Sequence, residues 1–215
     1  MFVRRFLSLC LASVAFCGSA ALVSGGERIA ALPLEALVMA PVSLKVGGAA
    51  REPMGWTDFC KRYQGECDAR PSTPLDIVFD EVARKAISRI NSAVNAEITP
   101  ATDQEMWGME ERWDFPSAGR GDCEDYVLLK RARLMAEGFA RQSLLITVVT
   151  DLQGDGHAVL TLKTDRGDYI LDNMNDEVKL WRETPYGFVK RQSEFDQNIW
   201  VSLGSGLPSP AIVSR

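Results

Sequence analysis

Only one histidine, His157, stands in the 215 residues. A zinc site built on Cys60 and Cys67 would need further nitrogen or sulfur ligands, and a lone imidazole leaves little to supply them. Positive charge is also scarce, with 24 Lys and Arg against 29 Asp and Glu. An acidic chain does not suit a polyphosphate backbone, which excludes nucleic acid as the expected partner. Beyond the first twenty residues no apolar run is long enough to cross a bilayer. There is no internal repeat and no low-complexity block to indicate an array or a tether.

The chain opens with Arg4 and Arg5, an apolar run from Phe6 to Phe16, and the small residues Gly18, Ser19, Ala20 and Ala21. These are the three parts of a secretory signal, expected over 1–20 and cleaved near position 20 or 21. A lipid anchor at Cys17 is the alternative, but Phe16 stands where such a site wants a small residue. Cleavage leaves 22 basic and 29 acidic side chains, a formal charge of −7, on about 195 residues. That is one domain with no membrane insertion of the mature chain, and the expected location is the periplasm. In an oxidising compartment Cys60 and Cys67, seven positions apart in FCKRYQGEC, are expected to pair. Cys123 is then a lone thiol.

Residues 21–55, rich in Ala, Gly, Val and Pro, read as an extended lead-in, and 204–215 as a loose tail. Between them, 56–203 form the expected domain. PSTPLDIVFDEVARKAISRINSAVNAEI predicts a helix with Thr73 as N-cap, Pro74 at the first position and Asp76 in the first turn. Its expected apolar face is Phe79, Val82, Ala83, Ala86, Ile90 and Val94. An irregular connection over 99–118 carries Gln104, Trp107, Trp113 and Pro116, and its length suggests a functional loop. The two tryptophans could line a cleft, but packing is the commoner role for aromatics in such a loop. A second helix is expected from Cys123 to Gly138. The period then changes to two in SLLITVVT, HAVLTLKT, DYILD, GFVKR and NIWVSL. Helices followed by strands indicate an α+β fold with an antiparallel sheet.

In GRGDCEDY, residues 119–126, a cysteine is pressed between Asp122, Glu124 and Asp125. Cys123 falls in the first turn of a helix, where free N–H groups and the dipole favour a thiolate and can hold an oxyanion. A blander assignment makes Asp122 an N-cap, Asp125 its capping-box partner and Cys123 a small filler. If the hairpin turns at Asp165 and Arg166, paired positions sum to 331. His157 and Asp172 then become diagonal neighbours on one sheet face. Thiol, imidazole and carboxylate in this arrangement are a nucleophile, its base and the base's orienter.

GDCEDYVLLKRARLMAEG, then HAVL, then YILDN resembles the bacterial transglutaminase-like cysteine proteinases, the group of LapG-type periplasmic peptidases. The resemblance covers roughly residues 55–203. It implies a papain-like, transglutaminase-like fold, with helices packed on an antiparallel sheet and the nucleophile at a helix N-terminus. It makes Cys123 the nucleophile, His157 the general base and acid, and Asp172 the residue that orients His157. It also implies a protein substrate of the large surface adhesin type and restraint by an inner-membrane cyclic di-GMP receptor. Three carboxylates beside Cys123 oppose its ionisation, by roughly 3 kcal/mol each at about 6 Å and an effective dielectric of about 20. A bound cation removes that conflict. Oxygen ligands favour calcium, which similar family members bind at the acids beside the nucleophile, so Asp122, Glu124 and Asp125 are the expected ligands. Two further outcomes stay open: the same three residues could transfer the acyl group to an amine, or the domain could be a binding module without catalysis.

Overall fold

The computed structural model describes residues 43–68 and 72–204. The signal segment expected over 1–20, the lead-in before residue 43 and the tail after Gly204 lie outside the described residues. In chain order the elements are β1 Val46–Ala50, α1 Met54–Arg62, α2 Glu81–Glu97, β2 Thr99–Pro100, α3 Asp103–Trp107, β3 Arg120–Gly121 and α4 Cys123–Ala136. The strands β4 Leu144–Thr150, β5 Gly156–Thr164, β6 Gly167–Asp172, β7 Asn175–Leu180, β8 Gly187–Gln192 and β9 Trp200–Leu203 follow. Seven of the strands make one sheet in the order β1-β9-β8-β4-β5-β6-β7, with every pairing antiparallel. Among the described residues no helix is long and apolar enough to cross a membrane.

Period two sorts the strand side chains into two layers. Leu144, Ile146 and Val148 of β4, Ala158, Leu160 and Leu162 of β5 and Leu171 of β6 share a core with Ile87, Ile90 and Val94 of α2 and Tyr126, Val127 and Leu134 of α4. Each Val, Leu or Ile side chain among them contributes about 1.5–3 kcal/mol on leaving water. The alternate positions Val149, Val159, Ile170, Phe188 and Leu203 gather with Leu44 in a second cluster. The β5–β6 hairpin has the expected register, from Leu160 opposite Leu171 to Thr164 opposite Gly167. That register is what carries His157 and Asp172 to the same corner of the sheet.

Helix α2 starts seven residues later than its sequence suggests, at Glu81 rather than Pro74. Residues 72–80 are held extended: Ile77 bridges Thr164 in parallel, and its N–H donates to the Lys163 carbonyl at 2.9 Å. Phe79 stacks on Tyr169 with ring centroids 4.2 Å apart. Thr73 is therefore not the cap; Asp80 is, accepting from the Ala83 N–H at 2.8 Å. The buried stripe is Ile87, Ile90, Asn91 and Val94, and Val82 is 76 % exposed. Helix α4 ends as expected, with Gly138 at φ 94° directly after the last turn. The predicted disulfide is present: Cys60 and Cys67 are bonded with Cα atoms 5.4 Å apart, which fastens the end of α1 to the turn after it. Cys123 is the free cysteine among the described residues, and it is buried.

Helix α4 is enclosed on most sides and carries charge into the interior. Lys130 is fully buried, its Nζ has no hydrogen-bond partner and lies 5.8 Å from the Tyr126 ring. Burial pulls its pKa down to about 7, against the attraction of Asp172 and Asp176. In the unfolded chain this lysine holds its proton up to about pH 10.4. Between those limits the unfolded state binds more protons, so the lysine's penalty on stability shrinks as pH rises. Lys130→Met should therefore be the more stable protein at pH 7, with the gap closing by roughly 2 kcal/mol at pH 9. Urea unfolding of both proteins at the two pH values checks this, because other titrations cancel in the difference.

Candidate active site

Cys123 opens α4 directly after the two-residue strand β3, which pairs with β2. The close approach is possible because residue 121 is glycine: a Cβ there would come within 2.7 Å of Asp125 Cβ and Oδ2. Asp122 occupies the N-cap position with extended backbone, but its side chain makes no cap hydrogen bond. The capping-box assignment of Asp122 and Asp125 is thus not what forms. Asp122 Oδ2 instead accepts from the Asp103 N–H at 3.3 Å, and Asp125 Oδ1 from the Asp114 N–H at 2.7 Å.

The sulfur is sealed from solvent and is hydrogen-bonded within α4 and to β5. Its S–H donates to Glu124 Oε2 at 3.3 Å, and the Ala158 N–H of β5 donates to the sulfur at 3.4 Å. His157, one residue before Ala158, is 1 % exposed. Its Nε2 lies 3.0 Å from Asp172 Oδ1, which leaves Nδ1 as the ring nitrogen without a hydrogen bond of regular geometry. Burial alone would lower the imidazole pKa, but hydrogen bonds and charge from Asp172 and Cys123 outweigh it and push it up to about 10. Burial likewise raises Asp172, and here the imidazole, the Tyr186 hydroxyl and the Met174 N–H prevail, so its pKa is lowered. Asp172 Oδ1 also accepts from Met174 N–H at 3.0 Å, and Oδ2 accepts from Tyr186. Cys123, His157 and Asp172 thus come to one corner although they stand on three elements.

The acids beside the sulfur divide into two groups. Ligand oxygens of Asp103, Asp122 and Glu124, all buried, lie within 4.8 Å of one another. Asp103, 19 residues before Asp122, was not evident from the sequence. Asp125 faces the loop that follows α3, where Asp114 is gripped by Arg62 at 2.9 Å and by the Tyr63 hydroxyl. Burial, then the charge of Asp122, pushes Asp103 up to about 7, and the same two causes push Asp125 up to about 9. Glu124 is raised well above the carboxylate range by burial, Cys123 and Asp122. Asp103 Oδ1 and Glu124 Oε1 are buried with no hydrogen-bond donor. An all-carboxylate set with unserved oxygens fits a hard divalent cation.

In the 99–118 connection, Trp113 is fully buried and packs edge-on against Trp56 and Trp200 at 6.1 and 6.4 Å. It is a core residue. Trp107 is half exposed under the Arg112 guanidinium, and Gln104 lies exposed on α3.

The sequence profile of the bacterial transglutaminase-like cysteine proteinases (BTLCP) matches residues 46–207. The chain belongs to that family. It is therefore a bacterial transglutaminase-like cysteine proteinase in sequence and in its helix-and-antiparallel-sheet architecture. No curated protein matches it. Among solved structures, calcium-bound LapG of Legionella pneumophila is similar at 20 % identity over 61 % of this chain and 74 % of that one, with a TM-score of 0.47. EGTA-treated LapG of Legionella pneumophila is similar at 22 % identity over 60 % of this chain and 72 % of that one, with the same TM-score.

Proposed function

We propose that this family member is a periplasmic cysteine endopeptidase acting through an acyl-enzyme on Cys123. The observation that carries the reading is the buried His157–Asp172 hydrogen bond beside the free thiol at the start of α4. Asp172 holds Nε2, so Nδ1 is the nitrogen that takes the thiol proton. The sulfur then attacks the peptide carbonyl, and N–H groups in the first turn of α4 receive the oxyanion. His157 returns the proton to the leaving amine, and then draws one from water to hydrolyse the thioester. Cys123 is sealed in this conformation, so a substrate reaches it only after residues around the sulfur move aside.

Asp103, Asp122 and Glu124, with Asp125 adjoining, are the residues we assign to calcium. When bound, the ion neutralises the carboxylates that otherwise oppose a thiolate. By the resemblance of its motifs, the substrate is an exported protein of the large surface adhesin type, and an inner-membrane cyclic di-GMP receptor is the restraining partner. The test is product mass after incubation with exported proteins of the source cell. Two fragments together heavier than the substrate by one water are expected. Loss of ammonia with gain of an amine would make the protein an acyltransferase instead.

A further inference from the structure

The Asp172 carboxylate has two oxygens with different duties. Oδ1 serves His157 and the Met174 N–H, and Oδ2 receives the Tyr186 hydroxyl. Tyr186 does more than donate: its ring centroid is 5.4 Å from that of His157, tilted by 50°. A cavity of about 110 Å³ opens beside Asp172 and Tyr186, walled by Ile170, Met174, Lys179 and Pro185. Asp172 and Tyr186 both line this cavity, and the tyrosine ring also lies against the imidazole.

The backbone around Tyr186 is built to hold it there. Thr184 closes a turn on the Trp181 carbonyl through both its N–H, at 3.2 Å, and its hydroxyl, at 2.7 Å. Pro185 then restricts the chain, and Gly187 enters β8 opposite Thr150. Trp181 packs edge-on against Phe188 at 5.7 Å, bracketing Tyr186 from both sides in sequence.

We infer that Tyr186 is a positioning residue: its hydroxyl fixes the plane of the Asp172 carboxylate, and its ring keeps water from the bond between Asp172 and His157. A carboxylate bonded through one oxygen alone can swing about its Cβ–Cγ axis. Swinging weakens the hold on Nε2 and with it the presentation of Nδ1 to sulfur. Tyr186 touches neither substrate nor sulfur in this scheme and acts through Asp172 and His157. The inference rests on the roles proposed above for those two residues.

The solitary histidine makes the test direct, since an imidazole N–H signal in a histidine-labelled NMR spectrum belongs to His157. In Tyr186→Phe, which keeps the ring and drops the hydroxyl, the Nε2–H resonance should move upfield and exchange faster with water. Alkylation of Cys123 by iodoacetamide, followed on its peptide by mass spectrometry, should slow about tenfold. Tyr186→Leu, which also removes the ring, should show faster proton exchange than Tyr186→Phe. Melting temperature is measured alongside, and a variant that loses a few degrees while keeping the wild-type resonance and alkylation rate assigns Tyr186 a structural role and overturns the inference. Neither readout needs a peptide substrate. A wild-type protein that cleaves nothing would end the peptidase reading and leave the Tyr186 result to be judged separately.

Discussion

Cys123→Ala should abolish the proposed cleavage of a protein substrate, lowering turnover by about ten-thousandfold or more, and should leave the fold in place. The loss is large because the proposed acyl intermediate forms on this sulfur: among the described residues Cys123 is the free thiol, and the chain has one imidazole. Groups that act as a unit are also non-additive, so His157→Ala should cost about as much, and the double variant little more than either alone. The fold survives because alanine suits the first turn of a helix and the lost sulfur leaves a gap of one atom in a core that also holds Trp113 and Tyr126. The check is fragment yield by mass spectrometry beside the melting curve. Cleavage persisting in Cys123→Ala would move the chemistry to another part of the molecule.

Legibility followed how far each segment's fate was decided by its own residues. β4, β5, β6, β8 and β9 could be read because alternating apolar side chains meet two packed layers, and the DRGD turn sets the β5–β6 register. β1, VGGAA, and β7, NDEVKL, carry no such signal. Both are edge strands, mostly exposed or half exposed, so neither carries the alternation that a doubly packed strand needs. The start of α2 is illegible for a different reason: the Ile77 bridge to Thr164 is a contact 87 positions away, and it overrides a good local cap at Thr73. At the site, the helix start and the hairpin register brought Cys123, His157 and Asp172 within view. Asp103 stayed hidden, although Thr102-x-x-Glu105 forms a capping box that marks it as the first residue of α3. What no local pattern could reveal is that this helix start lies against the start of α4.

That contact sets up the other large effect, which is on the metal. Calcium should raise the melting temperature, and EGTA should reverse the rise. An ion at a hundred times its dissociation constant contributes about 2.7 kcal/mol, or roughly 5–10 °C for a domain of this size. The argument turns on sign. Without an ion, charging three buried carboxylates within 4.8 Å of one another is costly, which is why Asp103 and Glu124 are raised, and two of their oxygens, Asp103 Oδ1 and Glu124 Oε1, have no donor. Removing one charge from the cluster should then stabilise the chelated protein and destabilise the loaded one. Asp103→Asn is the informative substitution, because Asp103 is separate from the nucleophile's helix and its pKa is already pushed up to about 7. In EGTA the variant should melt above the wild type by a few degrees. In calcium the order should invert, with most of the calcium-dependent rise gone. A plain loss of packing would lower both curves, and a cluster indifferent to the ion would leave the wild type unmoved by calcium. Only a cation held by Asp103 together with Asp122 and Glu124 makes the two melting curves cross.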